Sequence, residues 1–387
     1  MISRRTFLGA SAAAATIPWW GTNPAAAATP DTVKIAFDDQ SGAGQTYAYI
    51  TGTTPDHRLI VLKADGTAYY PPSPGAQAPL GVDCAIPLKS LSQVSVPKMI
   101  GARIYLALDE KLDFFVNPGP EMVHPNFLSA DDPNYRRNWA FAEFTFNDEQ
   151  LFANISYVDF VAIPIGLHLT TTGSGEQTVK GLPARSLDGI CDELRKQGGS
   201  WANLVEDDNG KALRALSAHH RAHQFAGYLD GYIDQVWEKY GGTKLTVDTQ
   251  RPDLGTFTGQ VSGGKLTFNN GESFGKPATA DVWSCDSGPF SLAGNPSEAR
   301  KAIVPRLAAA LNRTTLLDNP DQPTGEDPAK FYQGDKTNHY ARIVHSKLPD
   351  NRGYAFPYDD VTPGQDFSGA VQAGDPDTLT ITVNALR

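Results

Sequence analysis

A mainly β fold with a mixed α/β insertion is predicted by three features of this 387-residue chain. Short runs of alternating apolar and polar residues dominate to about residue 180. A helical period then takes over, and strand-like runs return before the C-terminus. Only 20% of residues are charged, while 36 glycines and 28 prolines punctuate the runs in the manner of turns. The length exceeds one small core, so one large domain or two interlocked ones are expected. No repeat at a fixed period is present. The implied division is 1–28 for a leader, 29–180 for a β domain completed by 325–387, and 181–324 for a mixed α/β portion.

The leader is read from Ser3-Arg4-Arg5-Thr6-Phe7-Leu8, a twin-arginine sequence followed by an Ala-rich run that ends in Ala25 to Ala28, where an A-x-A cleavage fits. Pro18 and Pro24 break the apolar stretch, which is too short to span a bilayer. A buried N-terminal helix is the competing reading. Secretion through twin-arginine export is expected.

Strands follow at Gln45 to Gly52, Arg58 to Lys63 and Thr67 to Tyr70, the last two joined by a tight turn at Asp65-Gly66. Arg103 to Leu108 and Lys111 to Val116 flank Asp109-Glu110 and read as another hairpin. After a Pro- and Asp-rich loop, 117–137, come the runs within 138–164 and then Ile163 to Leu169. Helices are predicted from Ser186, as N-cap, to Gly198; from Asn203 to His223; from Leu229 to Tyr240; and from Pro296 to about Leu311. Strands recur at Lys244 to Asp248, Gly255 to Val261, Lys265 to Phe268, Gly353 to Tyr358 and Thr378 to Val383.

Composition narrows the function. A net charge of −10, more negative once Arg4 and Arg5 are removed, disfavours nucleic acid and anionic lipid as partners and carries no penalty against a neutral polysaccharide. Cys84, Cys191 and Cys285 allow at most one disulfide. With no C-x-x-C pair and no H-E-x-x-H, neither a metal nor another cofactor is expected. His219 and His223 have a chelating i, i+4 spacing but no third ligand is signalled, so a polar helix face is the reading. Asp359-Asp360 reads as a turn cap or a clamp between β portions, and the glycosylation pattern Asn154-Ile155-Ser156 as incidental.

The stretch 138–164 carries the chemistry. Alternation places Trp139, Phe141, Glu143, Thr145 and Asn147 on one face, aromatic rings beside a carboxylate, a hydroxyl and an amide, as a sugar-binding surface requires. Asp159 lies in the apolar run YVDFVAI, where an unpaired carboxylate is costly. Two carboxyl groups in contrasting surroundings are what glycoside hydrolysis uses. A two-residue turn at Asp148-Glu149 would pair Glu143 with Asn154 and leave Asp159 five residues beyond, roughly 16 Å away at about 3.3 Å per residue. A catalytic pair therefore calls for a wider loop near Leu151 or a bulge, and inversion for a separation of roughly 6.5–9.5 Å.

Ala142-Glu143-Phe144-Thr145-Phe146-Asn147, then Asn154-Ile155-Ser156-Tyr157-Val158-Asp159-Phe160 with Pro164, and Tyr354-Ala355-Phe356-Pro357-Tyr358-Asp359-Asp360 resemble the motifs of the thaumatin-like superfamily. Its disulfides are absent. Within it the chain resembles glycoside hydrolase family 64, the laminaripentaose-producing endo-β-1,3-glucanases. That resemblance implies a thaumatin-like β-barrel or sandwich domain plus a mixed α/β domain forming an open groove. It also implies a secreted inverting enzyme acting as a monomer on β-1,3-glucan, with Glu143 as general acid and Asp159 as general base. Thr145, Asn147, Phe152 and Ser156 match sugar-subsite positions, with Phe152 in place of Trp and Ser156 in place of Thr. Asn154 stands where the wider superfamily has an acidic residue, so that group's full acidic cleft is not reproduced. The alternative reading is a non-catalytic β-glucan-binding protein of the same build.

Overall fold

The computed structural model describes residues 29–387, and the leader expected over 1–28 lies outside them. The described chain divides into two units, one of 29–220, 343–353 and 368–387, the other of Arg221–Arg342 and Tyr354–Phe367.

The first unit is built on two large open sheets; no barrel closes among the described strands, so the barrel form of the expectation is not the one observed. The larger sheet runs in the order Ala370–Ala373, Leu151–Ile155, Trp139–Phe146, Met99–Leu108, Thr46–Thr53, Leu59–Leu62, Ala68–Tyr69, with Ile86–Pro87 added beside Thr46–Thr53. The second has the order Glu176–Val179, Ile165–Thr171, Pro376–Asn384, Thr32–Gln40, Gln93–Pro97. Alternation decides which faces close on the core: Val33, Ile35 and Phe37 with Leu379, Ile381 and Val383 from the second sheet, and Ala142, Phe144 and Phe146 with Ile104, Ala153 and Ile155 from the first, are all buried. The C-terminal strand completes its sheet from the far end of the sequence, parallel to Thr32–Gln40 and antiparallel to Ile165–Thr171. A third, small sheet pairs Phe160–Val161 and Val205–Asp208 with the central strand Lys211–Leu216.

The second unit carries a sheet in the order Ser273–Phe274, Lys265–Phe268, Thr256–Ser262, Leu245–Asp248, Asp321–Gln322, together with the helices Asp230–Gly242 and Glu298–Arg313. Ser297 caps the latter helix by accepting from the Arg300 amide at 2.9 Å. At its C-terminus the fully buried Arg313 meets Glu326 at 3.3 Å and Asp359 at 3.1 Å under the ring of Phe331. Asp359 also accepts from the amide of Ala355 at 2.9 Å, so it closes a turn and anchors the arginine. All three cysteines are buried and unbridged.

Four expectations are corrected. Asn203 to His223 is not one helix: Asp208-Asn209-Gly210 makes a hairpin turn, with Asn209 at φ 50° and Gly210 at φ 77°, between Val205–Asp208 and Lys211–Leu216, and only the end of the range is helical, in the 3₁₀ segment Ala218–Phe225. Lys111 to Val116 does not pair with Arg103 to Leu108, because both edges of that strand are already taken by Thr46–Thr53 and Trp139–Phe146. Gly353 to Tyr358 is a turn structure closed by Asp359, with Tyr358 at φ 66°. The helix Ser186–Gln197 has Arg185, not Ser186, at its N-cap position, while Gly198 ends it as expected, its N–H reaching the carbonyls of Leu194 and Arg195. The helix His339–Lys347 was not predicted.

Candidate functional site

The site is built on the face of the large sheet that carries Glu143. The hairpin has the tight form: Asn147 N–H bonds the Gln150 carbonyl at 3.1 Å, and Glu143 lies directly opposite Asn154 on one side and Arg103 on the other. No wider loop near Leu151 brings Asp159 back. Instead the strand Leu151–Ile155 ends, Ser156 Oγ accepts from the Val158 amide at 3.3 Å, and the chain reverses to add Phe160–Val161 to the small sheet. Phe160 then packs over the Glu143 face, its ring centroid 5.2 Å from that of Trp139 and 6.0 Å from that of Phe141. The turn thus replaces the straight continuation on which the 16 Å separation rested.

The same packing corrects the expected open aromatic row. Trp139 is 1% and Phe141 8% exposed, covered by Phe160, Phe127 and the Arg103 guanidinium, so neither presents a free ring face. Glu143 and Asp159, by contrast, keep 30% and 29% of their side chains accessible. Thr145 and Phe152 are half-buried and face each other across the hairpin; Thr145 Oγ1 accepts from the Gly101 amide at 3.3 Å. Asn147 Oδ1 is taken by the hairpin turn, accepting from the amides of Glu149 and Gln150, both at 2.9 Å.

The two carboxyl groups sit in contrasting electrostatic surroundings. Burial pushes Glu143 above its ordinary value and the charge of Asp159 adds to the push, against Arg103, whose Nε donates at 3.2 Å, and a hydrogen bond with Asn154. For Asp159 burial acts upward too, but the hydrogen bond from His220 and the electrostatic influence of His220, Arg103 and His219 outweigh it and hold the group below its ordinary value. Tyr105, opposite Phe141, bonds His124 Nδ1 through its hydroxyl at 2.7 Å.

Sequence reasoning missed Arg103, His220 and Arg214. Arg214 is fully buried beneath the site, its guanidinium over Trp139 and Phe160 and donating to the carbonyls of Phe127, Tyr135 and Arg137 at 3.1, 2.7 and 3.3 Å. It fixes the loop from which Phe127 reaches His220, and burial lowers it to about 10, so it stays charged near neutrality. For Arg214 the available signal was an arginine in the largely apolar run KALRAL; for His220 there was none. Among the described residues no group of three or more His, Cys, Asp or Glu side chains is arranged to hold a metal ion, and no helix is long and apolar enough to cross a membrane.

A family model described as β-1,3-glucanase, glycoside hydrolase family 64, matches residues 31–383. The chain belongs to this family. Two curated relatives, the glucan endo-1,3-β-glucosidases of Arthrobacter sp. (strain YCWD3) and Cellulosimicrobium cellulans, are each 28% identical over 357 residues covering 88% of this chain. The family-64 chain spans 63% of the length of each, less than two thirds. Among solved structures, a laminaripentaose-producing β-1,3-glucanase in complex with laminaritetraose is 32% identical, with a TM-score of 0.81 over 92% of this chain and 100% of that one. A family-64 β-1,3-glucanase domain from Clostridium beijerinckii shares the fold at 24% identity and a TM-score of 0.77, over 94% of this chain and 100% of that one.

Proposed function

We propose that this chain is a secreted endo-β-1,3-glucanase that cleaves β-1,3-glucan to short oligosaccharides, laminaripentaose among them, with inversion at the anomeric carbon. The observation that carries the reading is the opposed tuning of two accessible carboxyl groups, Glu143 shifted up and Asp159 shifted down. The likeness to a glucanase crystallised with laminaritetraose supports the substrate class.

In this mechanism Glu143, protonated, gives its proton to the glycosidic oxygen as the bond from that oxygen to C1 breaks. Asp159, ionised, takes a proton from a water whose oxygen bonds C1 from the opposite face of the ring. The β-linkage thereby yields an α-anomer, and exchange with solvent restores the starting state, Asp159 releasing the proton it took and Glu143 regaining the one it gave. Asn154 and Arg103 flank Glu143 on the neighbouring strands and orient it; the Arg103 charge also stabilises its conjugate base, formed on proton transfer. Thr145, Phe152 and Ser156 are assigned to sugar contacts along the hairpin, and Trp139 and Phe141 act from beneath by supporting Phe160 and Arg103.

Glu143→Gln and Asp159→Asn are each expected to lower kcat on soluble β-1,3-glucan by about 10²–10⁴-fold while leaving retention on the glucan intact. Full activity in either variant contradicts the assignment. Retention with no turnover in the unmodified chain would instead make it a glucan-binding protein.

A further inference from the structure

We infer that His220 is a positioning residue for the base: its ring holds the Asp159 carboxyl in one orientation as a hydrogen-bond acceptor. The inference rests on Asp159 acting as general base.

The geometry is specific. Nε2 of His220 lies 2.8 Å from Oδ1 of Asp159. An ionised carboxylate can only accept, so the ring donates through Nε2. Both partners are set by one piece of backbone: Phe160 pairs with Leu216, the Ser217 amide donates to the Asp159 carbonyl at 2.9 Å, and the His220 amide turns back to the Ser217 carbonyl at 3.1 Å. The small sheet therefore delivers carboxylate and imidazole side by side. The ring is fixed by its neighbours, with Phe127 edge-on at 4.9 Å and 81° and His219 at 5.0 Å and 62°. Only 11% of the His220 side chain is accessible, so the pair is shielded from water on the ring side while Asp159 remains open.

The arrangement decides which of two opposing influences wins at Asp159. Burial favours the neutral acid, and a neutral Asp159 cannot take a proton from water. The groups that counter burial come from two sides: Arg103 on the strand Met99–Leu108, and His219 and His220 on the segment Ala218–Phe225. Glu143, on Trp139–Phe146, is the titratable neighbour of like charge. Among these His220 makes the direct hydrogen bond, so its loss should move Asp159 upward. In a bell-shaped profile the acid limb follows the base, and that limb should then move to higher pH.

The test is the pH dependence of kcat and kcat/KM on laminarin with reduced chain ends, for the unmodified chain and for His220→Ala, His220→Gln and Asp159→Asn, with folding checked by circular dichroism. His220→Ala is expected to move the acid limb up by about one pH unit or more and to lower the plateau kcat roughly 10–100-fold, with little change in KM. His220→Gln, which keeps an N–H donor without the imidazole ring, should shift the limb less. A folded His220→Ala variant whose limb stays in place overturns the inference, because a purely structural role lowers activity without moving the limb. Should His220→Ala fail to fold, the Gln variant decides alone, an unmoved limb with lowered kcat counting against. An active Asp159→Asn variant refutes the base assignment itself, and so separates that failure from failure of the His220 inference.

Discussion

Arg103 links the two carboxyl groups: its guanidinium covers Phe141 at 4.7 Å and donates to Glu143 at 3.2 Å. Its charge favours the ionised form of both carboxyls. Removing it should raise both, so Arg103→Gln is expected to displace both limbs of the kcat/KM profile toward alkaline pH, with the optimum following. An unmoved profile contradicts the placement of that charge. Asn147 tests a different distinction. Because its side-chain oxygen serves the turn amides of Glu149 and Gln150, Asn147→Ala should cost roughly 1 kcal/mol of stability. A rise in KM without a fall in thermal stability would make it a sugar ligand instead of a turn residue. Glu143 and Asp159 were legible in the sequence because an acid in an alternating face and an acid in an apolar run each break a local rule. Arg103 and His220 were not, since what makes them matter is the residue opposite, and pairing across strands is not written in local spacing.

Elements show the same division between local and non-local signals. The Asp65-Gly66 turn, the helix ending at Gly198 and the helix starting near Pro296 were all read correctly, each depending on residues a few positions apart. Asn203 to His223 was misread because spacings in KALRALSAHH fit a helical stripe, while the turn signal Asn209-Gly210 inside it was passed over. The departure of Asp159 from the hairpin was illegible for another reason: it depends on a strand partner, Lys211–Leu216, some fifty residues later. Close packing at the start of the strand Ile165–Thr171 gives a stability test. Gly181 has φ +64°, and a Cβ there would stand 1.9 Å from the carbonyl oxygen of Ile165. Gly181→Ala should therefore destabilise by more than about 1 kcal/mol, read as a shift in denaturation midpoint, and an unchanged midpoint would contradict this close approach.

For the molecule as a whole, stability is expected to come from packing and one buried ion cluster, without covalent bridges. Arg313→Met strands the carboxylates of Glu326 and Asp359, at a cost of about 3–5 kcal/mol, visible as a lower thermal midpoint. The thiols of Cys84 and Cys191 are pushed up to about 12 by burial, so thiol reagents should label none of the cysteines until the chain unfolds, and reductant should leave the midpoint unchanged. The mainly β class was legible because alternation and turn residues recur along much of the chain, whereas the order of strands in each sheet was not. Inversion by a Glu143 acid and an Asp159 base is tested by early-time proton NMR of soluble β-1,3-glucan during digestion. Short oligosaccharides whose new reducing ends appear first as the α-anomer are the expected result. New ends appearing first as the β-anomer would contradict it, leaving the substrate in place and requiring a covalent intermediate.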